Sequence, residues 1–597
     1  MGSVFSPEEL ALTGTGSVSV SHPSRRAVTA AAAGGAVLAS AALWAISRGR
    51  WSDPLIDSGR EWIVPDALAR GEFLYRDVVY WFGPLTPHVQ AIFFRVFGSG
   101  YASLVLAGGL GALAALALLD AVLRRVAGRR EALLWTALAI PALVFMPNAG
   151  GALLGMGYRI WHAAACTLAG VALVAGPSRS RIRPLLAGAC AGLAGLCRTE
   201  WGLAAIAAIA LACFVRDRRR SRGLGEAVIA AAGYAAVFGV GLCVFLRHAG
   251  ADAIIGDSHV LLTGLPLETR HFLVAFSGIR DWRNGVLELV YSAAMWAGVF
   301  LLATLLSRSS PADRPGLLKA VAAVLVVLSL TAALGGAGSA VLFSAAPLIS
   351  LAGLVAGLRL RHGSAAAALS ACGLLGFGLC YRRPFHIGDS AYVAPPLLFA
   401  FVCAAGLLQF AIARSRTRNE RKRRREVLGW TVAVLVAAAF AGRMLGYASL
   451  ESSAIAGTDG MLSARPELAR EIEELSAAVT AATGEGDSLV VFPEGEILNL
   501  LSERRNPIRH KLYLPGYLTD ANEAAILEEL TLARPAAVVL WRRPSSEYDR
   551  SMFGEDYGRR IFAWIHENYD LSPFRARGAP VRANPRFVLG TRKQGAG

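Results

Sequence analysis

Charge is scarce in this sequence. Only 17% of its 597 residues are Asp, Glu, Lys or Arg, where a soluble chain carries about a quarter. Hydrophobic residues make up 54%, and the mean hydropathy is +0.47. Water-soluble domains cannot hide that much apolar surface, so the composition excludes a soluble multidomain protein and requires a polytopic membrane one. Cysteine is sparse too. The 8 cysteines (Cys166, Cys190, Cys197, Cys213, Cys243, Cys372, Cys380 and Cys403) all fall in apolar runs, and the polar C-terminal stretch has none. That excludes a disulfide framework or a zinc site there, and the cysteines read as small core residues. Acidic residues are outnumbered, 43 against 60 Lys and Arg, for a net charge of +17. In a soluble protein such an excess would raise nucleic acid as a partner. Here the question is on which side of a bilayer it lies. No internal repeat is visible.

A spanning helix needs about 20 mostly apolar residues. Thirteen runs qualify: 27–47, 99–123, 132–147, 160–176, 184–198, 200–215, 225–246, 286–307, 317–335, 338–358, 364–381, 393–413 and 427–448. With the N-terminus inside, the cytoplasmic segments collect 27 Lys and Arg against 14 in the opposite loops. Every short basic loop falls on one side, so the expected topology is N-terminus in and C-terminal segment out. The basic run Arg416–Glu426 lies between two spans. It reads as a cytoplasmic stop signal on anionic membrane lipids rather than as a nucleic-acid patch. Residues 27–47 resemble a signal peptide with Ala39-Ser40-Ala41 as its cleavage site, but the run is long for that, and a retained helix is the favoured reading.

Three parts follow. Residues 1–26 are a polar, disordered cytoplasmic N-terminus, and 27–448 form the membrane domain, with a long first outside loop at 48–98. Residues 449–597 form an extracytoplasmic soluble domain. In that domain the apolar runs 488–492 and 536–541 read as buried strands, and 465–483 and 555–568 have helical periodicity. The expected fold is therefore an α-helical polytopic membrane protein of about 13 spans with a small C-terminal α/β domain.

The first outside loop carries the strongest chemical signal. Asp57 and Asp77 lie in it twenty residues apart, and Glu61 follows Asp57 by one helical turn, on the same face if that segment is helical. Trp62, Tyr75, Tyr80, Trp81 and Phe82 interleave with them. A solvated loop has no need of so many rings. The composition suits a re-entrant or interfacial segment holding acids near the membrane surface. The alternative is that these acids make ordinary surface ion pairs with Arg60 and Arg76.

The order of these features is an acidic residue just after the first span, a Gly-aromatic-Tyr-Arg-Asp stretch, then Phe82-Gly83-Pro84-Leu85 before a helix. It resembles the GT-C superfamily of multi-pass glycosyltransferases, which includes protein mannosyltransferases and bacterial aminoarabinose transferases. The number of spans, the turn Leu196–Gly202 and the soluble C-terminal domain extend the resemblance. The motif-level part covers about a tenth of the chain. Two departures stand out: Ser58 follows Asp57 where many members have Asp-Glu, and Gly83 stands where others have Lys. The resemblance implies a polyprenyl-phosphate-sugar donor, a glycan, lipid or protein acceptor, and an extracytoplasmic active site in the cell membrane. It also implies Asp57 as the catalytic carboxylate, with Asp77 as the second acid of that loop, orienting the acceptor or a divalent cation.

The residues suit that chemistry independently. Inverting transfer needs a carboxylate to accept the acceptor's proton while a phosphate leaves the anomeric carbon, and cations to stabilise that phosphate. The outside helix ends supply Arg159, Arg198 beside Glu200, Arg270 with His271, and Arg382-Arg383 near His386. Arginine binds phosphate through a planar fork and stays charged near lipid. Each alone is equally a snorkelling residue; their gathering on the acidic loop's side is the sharper feature. His162 and His259 lack ligand spacing and read as structural, and the glycine pairs Gly150-Gly151 and Gly335-Gly336 read as close helix packing. Competing functions are a secondary transporter, whose polar residues would lie at the midplane, a polysaccharide ligase or flippase of envelope assembly, and a membrane scaffold.

Overall fold

The computed structural model describes residues 25–593 apart from 57, 148–150, 156, 178–179, 218–219, 258–265, 277–281, 284–285, 288, 291, 294–343, 361, 381–394, 416 and 578–584. Helices occupy eleven of the thirteen expected spans. They are α1 (Arg25–Ser47), α4 (Tyr101–Val126), α5 (Arg129–Ala139), α6 (Tyr158–Val174), α7 (Ile182–Cys197) and α8 (Thr199–Arg216). After them come α9 (Arg220–Tyr234) running into α10 (Val240–Ala249), and then α12 (Ala346–Arg359), α13 (Ser364–Cys380), α14 (Leu397–Ala413) and α15 (Arg418–Ala448). The expected span 317–335 and most of 286–307 lie outside the described residues. Two shorter helices, α2 (Ser58–Ala69) and α3 (Leu85–Phe97), fill the first loop, and α11 (Leu267–Phe276) lies in the second.

Four of these helices are long and apolar enough to cross a membrane, and α1, α6, α7, α12, α13 and α14 are shorter apolar helices. Large side chains such as Leu113, Leu224, Val228 and Val240 stand exposed on their outer faces. Water would not tolerate that surface, and hydrocarbon does, so this is an integral membrane protein. Between helices the contacts run through small residues. Gly188 presses on the backbone of Ala230 and Gly233 on that of Leu185, so α7 and α9 touch backbone to backbone. Pro141 breaks α5 into a π-turn, Ile140–Val144. The carbonyls of Pro141 and Phe145 are taken up by α15, from Arg443 Nε at 3.0 Å and Tyr447 Oη at 3.0 Å.

Cys197, Cys213, Cys372 and Cys403 are buried as expected, but Cys243 is exposed on the outer face of α10. The expected helix-packing role of Gly150-Gly151 fails for Gly151, which presses on the Met146 carbonyl within its own turn. Gly150, Gly335 and Gly336 lie outside the described residues, as does His259.

Segments expected on the same side meet one another. At one end of the bundle Gly363 N donates to Arg216 O at 3.1 Å, while Arg216 reaches Val174 O at 2.9 Å and Glu226 at 2.6 Å. At the other end both loops expected outside dock on the C-terminal domain. That domain begins with a short ribbon, β1 (Ser453–Ala454) and β2 (Ser463–Ala464), and α16 (Pro466–Ala482). Its main sheet has the order β3-β4-β6-β5. The two expected strands, β3 (Leu489–Phe492) and β4 (Ala537–Trp541), run parallel at its heart, and β5 (Tyr569–Phe574) and β6 (Phe587–Arg592) add antiparallel. Helices α17 (Ile497–Leu501) and α18 (Asp520–Ala533) connect the parallel pair, and α19 (Arg559–Asn568) precedes β5. The helical pattern expected from 555 therefore starts at 559, because Gly558 takes a left-handed conformation, φ 64°. Val490, Phe492, Ile526, Leu530, Val538, Ile561 and Ile565 form the core.

Candidate functional site

The chain leaves α1 through a turn built on Asp53, whose Oδ1 accepts from the backbone of Leu55 at 2.8 Å and Ile56 at 3.0 Å. Ser58 Oγ returns to Asp53 O at 2.6 Å and opens α2. Nearly all of α2 is buried, from Ser58 to Leu68. One reason is Gly59, where a Cβ would meet Ile497 N at 2.7 Å and Glu496 N at 2.9 Å. Only glycine lets α2 lie this close to the C-terminal domain.

Beyond α2 the segment 73–82 folds over the bundle. Tyr75 is buried with φ 70° and its Oη donates to Phe82 O at 2.6 Å. Phe73 and Tyr75 pack on Phe245 of α10. Gly83 allows the chain to press against the Leu196 carbonyl at the end of α7, a physical reason for glycine at this position.

Several expected residues come together here. Glu61 is 3% exposed and Arg159, at the start of α6, 1%; the guanidinium donates to Glu61 Oε1 at 2.7 Å. It also donates to Tyr80 Oη at 3.2 Å and lies 3.6 Å from the Phe82 ring centroid. Arg198, at the α7–α8 junction, lies 5.7 Å from the same ring and pairs with Glu200 at 2.5 Å. Glu61, Arg159, Arg198 and Glu200 thus converge on Phe82. Burial, opposed by the Arg159 charge, pushes the Tyr80 phenol up to about 12. His162 faces Thr86 Oγ1 at 3.2 Å, a structural contact.

Asp77 is placed differently. It closes the 73–78 turn by accepting from Phe73 N at 2.7 Å, and pairs with exposed Arg76 at 2.8 Å. The Arg76 hydrogen bond holds its carboxyl below the usual range against a smaller burial effect. For Asp77 the surface ion pair is what is found; Glu61 instead pairs with buried Arg159. Arg270 and His271 belong to α11, which docks on the C-terminal domain: His271 Nδ1 lies 3.7 Å from Asp549, Glu268 pairs with Arg550 at 2.8 Å, and Phe272 stacks on Tyr548 at 4.7 Å. Asp57, Arg382, Arg383 and His386 lie outside the described residues.

Between the first loop and the C-terminal domain lies a narrow cleft lined by Arg60, Val64, Val79–Phe82, His510–Leu512 and Tyr517. Val79 N donates to Arg509 O at 3.1 Å, and Arg509 Nε to Arg76 O at 2.7 Å, so the two walls are stitched together. Trp81 and Tyr517 pack ring to ring at 4.1 Å. His510, Lys511 and Tyr517 are absent from the sequence-based reading. The basic triplet Arg509-His510-Lys511 between apolar Ile508 and Leu512 was the available signal. Among the described residues no three His, Cys, Asp or Glu side chains group as metal ligands.

No family model matches the chain, and no curated protein matches it. Among solved structures, ArnT from Cupriavidus metallidurans in the apo state matches with a TM-score of 0.51 over 94% of this chain and 98% of that one, at 13% identity. The same protein bound to undecaprenyl phosphate matches with a TM-score of 0.51 at 12% identity, over the same shares of both chains. At such identity the likeness is one of fold, and it is the fold expected from the GT-C resemblance.

Proposed function

We propose that the protein is a membrane glycosyltransferase that moves a sugar from a polyprenyl-phosphate-linked donor to an envelope glycan, lipid or protein acceptor on the extracytoplasmic face. The observation that carries the reading is the docked first loop. It brings Glu61, Arg159 and Arg198 around the Phe82 ring at one end of a bundle whose fold ArnT shares, and ArnT has been solved with undecaprenyl phosphate bound.

The transfer is inverting. An acceptor hydroxyl attacks the anomeric carbon as the bond from that carbon to the phosphate oxygen breaks. Asp57, directly before α2, takes the hydroxyl proton, and the polyprenyl phosphate leaves with the bonding electrons. Arginines at this end neutralise the developing phosphate charge. Arg159 is committed to Glu61 and Tyr80, so it holds the loop, while Arg198 is the more accessible cation. Arg382, Arg383 and His386 are candidates from the stretch of sequence between α13 and α14, and Arg270 and His271 from the second loop. No step is assigned to a divalent cation.

The test is sugar transfer from a polyprenyl-phosphate donor by purified protein in liposomes. Asp57→Asn should lower the rate about 10²–10⁴-fold with the elution profile unchanged. Transfer at the wild-type rate by Asp57→Asn would remove Asp57 from the chemistry, and no transfer by the wild type from any polyprenyl-phosphate sugar would remove the reading.

A further inference from the structure

Basic residues gather at the end of the bundle opposite the C-terminal domain. Two corners there, residues 120–131 and 414–426, hold twelve Lys and Arg against four acids. The first corner joins α4 to α5, and the second joins α14 to α15. Because α5 packs on α15, the two corners are neighbours. Their meeting point is defined: a Cβ built on Gly429 of α15 would lie 4.0 Å from the guanidinium carbon of Arg130. Arg425, Lys422, Arg421 and Arg418 precede Gly429 by four, seven, eight and eleven residues, which puts all of them on its face of the helix. All four are exposed, as are Arg129 and Arg130 at the start of α5. A cationic stripe on one helix thus runs down to the cationic start of its neighbour.

Three of the four acids are held by other groups. Asp120 pairs with Arg124 at 2.5 Å, and Glu131 lies against Gly128 within its own turn. Glu420 pairs with Arg424 at 2.6 Å on the opposite face of α15. Arg424 also donates to Ala411 O of α14 at 3.2 Å, which fixes the basic turns of α15 in place. Of the four, Glu426 borders the stripe. The depth of the stripe follows from helix length. From Val427 to Ala448 α15 has 22 residues, about 33 Å at about 1.5 Å each, close to the thickness of a hydrocarbon core. The cations before Val427 therefore stand at headgroup level. Trp430, 59% exposed, lies one turn further in, where an indole suits the interface.

We propose that the junction between the start of α5 and the first two turns of α15 binds an anionic phospholipid of the leaflet at that end. Arg129 and Arg130 form one wall and Lys422 and Arg425 the other, with the headgroup between them and the acyl chains in the hydrocarbon. Like charges on two packed helices repel, and a phosphate placed between them replaces the repulsion with charge-assisted hydrogen bonds. Guanidinium forks suit phosphate oxygens, and basic pockets between membrane helices suit headgroups rich in phosphate. From Arg418 to Arg425 the stripe extends about 10 Å, so a lipid with two phosphates engages more of it than a lipid with one. The basic run 416–426 is then more than a stop signal: it is one wall of a lipid site whose other wall is α5. This site stands whether or not the protein transfers sugar.

The experiment titrates cardiolipin, phosphatidylglycerol or phosphatidylcholine into full-length protein in neutral detergent and reads the dissociation constants by native mass spectrometry. Cardiolipin should bind most tightly and phosphatidylcholine least. Arg129→Gln/Arg130→Gln and Lys422→Gln/Arg425→Gln should each weaken cardiolipin about ten- to thirtyfold, from a factor of about five for each basic residue near an anionic headgroup. Arg181→Gln/Arg183→Gln removes the same charge at the start of α7, which packs on α6, α8 and α9, and should leave the constant within about twofold. Should one double variant of the site fail to fold, the other, on the opposite wall, decides. Equal weakening by the α7 variant would mean diffuse surface charge and overturn the site. So would cardiolipin binding no tighter than phosphatidylcholine. Inorganic phosphate that displaces cardiolipin at equal concentration would assign the cations to a free anion and overturn the lipid.

Discussion

The Glu61–Arg159 pair should be the strongest single link between the first loop and the membrane bundle. Its members are 98 residues apart in sequence, 3% and 1% exposed, and joined at 2.7 Å. Removing one partner leaves the other charge buried, and such losses cost about 3–5 kcal/mol. Glu61→Gln and Arg159→Met should each destabilise the protein by that order. The Arg159 variant loses in addition the cation–π contact with Phe82, worth about 0.5–2 kcal/mol. The double variant removes both charges together. A buried pair replaced by apolar groups of similar volume is often close to neutral, so Glu61→Leu/Arg159→Met should recover most of the loss. The assay is a double-mutant cycle on unfolding of the purified protein in detergent, with a coupling of about 2 kcal/mol or more expected. Single losses below about 1 kcal/mol, the usual worth of an exposed pair, would refute the reasoning. So would a double variant whose loss is the sum of the two.

Three further outcomes are expected. Asp77 is held below its ordinary pKa of 3.8 chiefly by Arg76, so the stability it contributes is present above that value and fades as pH falls through its lower folded value. Asp77→Asn should therefore melt below the wild type at pH 7, with the gap closing in acid; a gap that persists below the folded pKa would mean a loss of packing, not of charge. Gly59→Ala pushes a methyl into the backbone of Glu496 and Ile497, so it should cost about 1–3 kcal/mol and loosen the C-terminal domain, read as faster proteolysis between α15 and β3. A reporter fused after Tyr447 should be active only outside the cytoplasm and one after Arg220 only inside; the reverse would move the first loop to the cytoplasm and withdraw the lipid-linked donor.

Much of the membrane domain was legible in the sequence. A spanning helix satisfies its own backbone hydrogen bonds and must match the hydrocarbon thickness, so its signature is local, a run of about 20 apolar residues. The α5 span could be recognised although Pro141 breaks it, because the run continues through the π-turn. In the C-terminal domain the buried parallel strands β3 and β4 showed as apolar runs. Strands β5 and β6 did not: Pro573 sits within β5, and the exposure of both follows no simple alternation. Helix α18 was missed because its signal is a Thr519–Asn522 capping box rather than a clear apolar stripe.

The residue types that the structure gathers around Phe82 were also legible, as acids, arginines and rings crowded into the loops expected outside. Their partnerships were not. Nothing in the spacing of Asp77 and Glu61 says that one would turn to its neighbour Arg76 and the other to Arg159 on a distant helix. Nothing local to Arg60 says that Lys511 would line the same cleft. Those choices were made when α2 settled against both the bundle and the C-terminal domain, through a glycine that allows backbone to touch backbone. Apolar length is a property of a segment and can be read along the chain. A buried charge is stable only beside the particular groups that folding brings to it, and so its partner is decided in three dimensions.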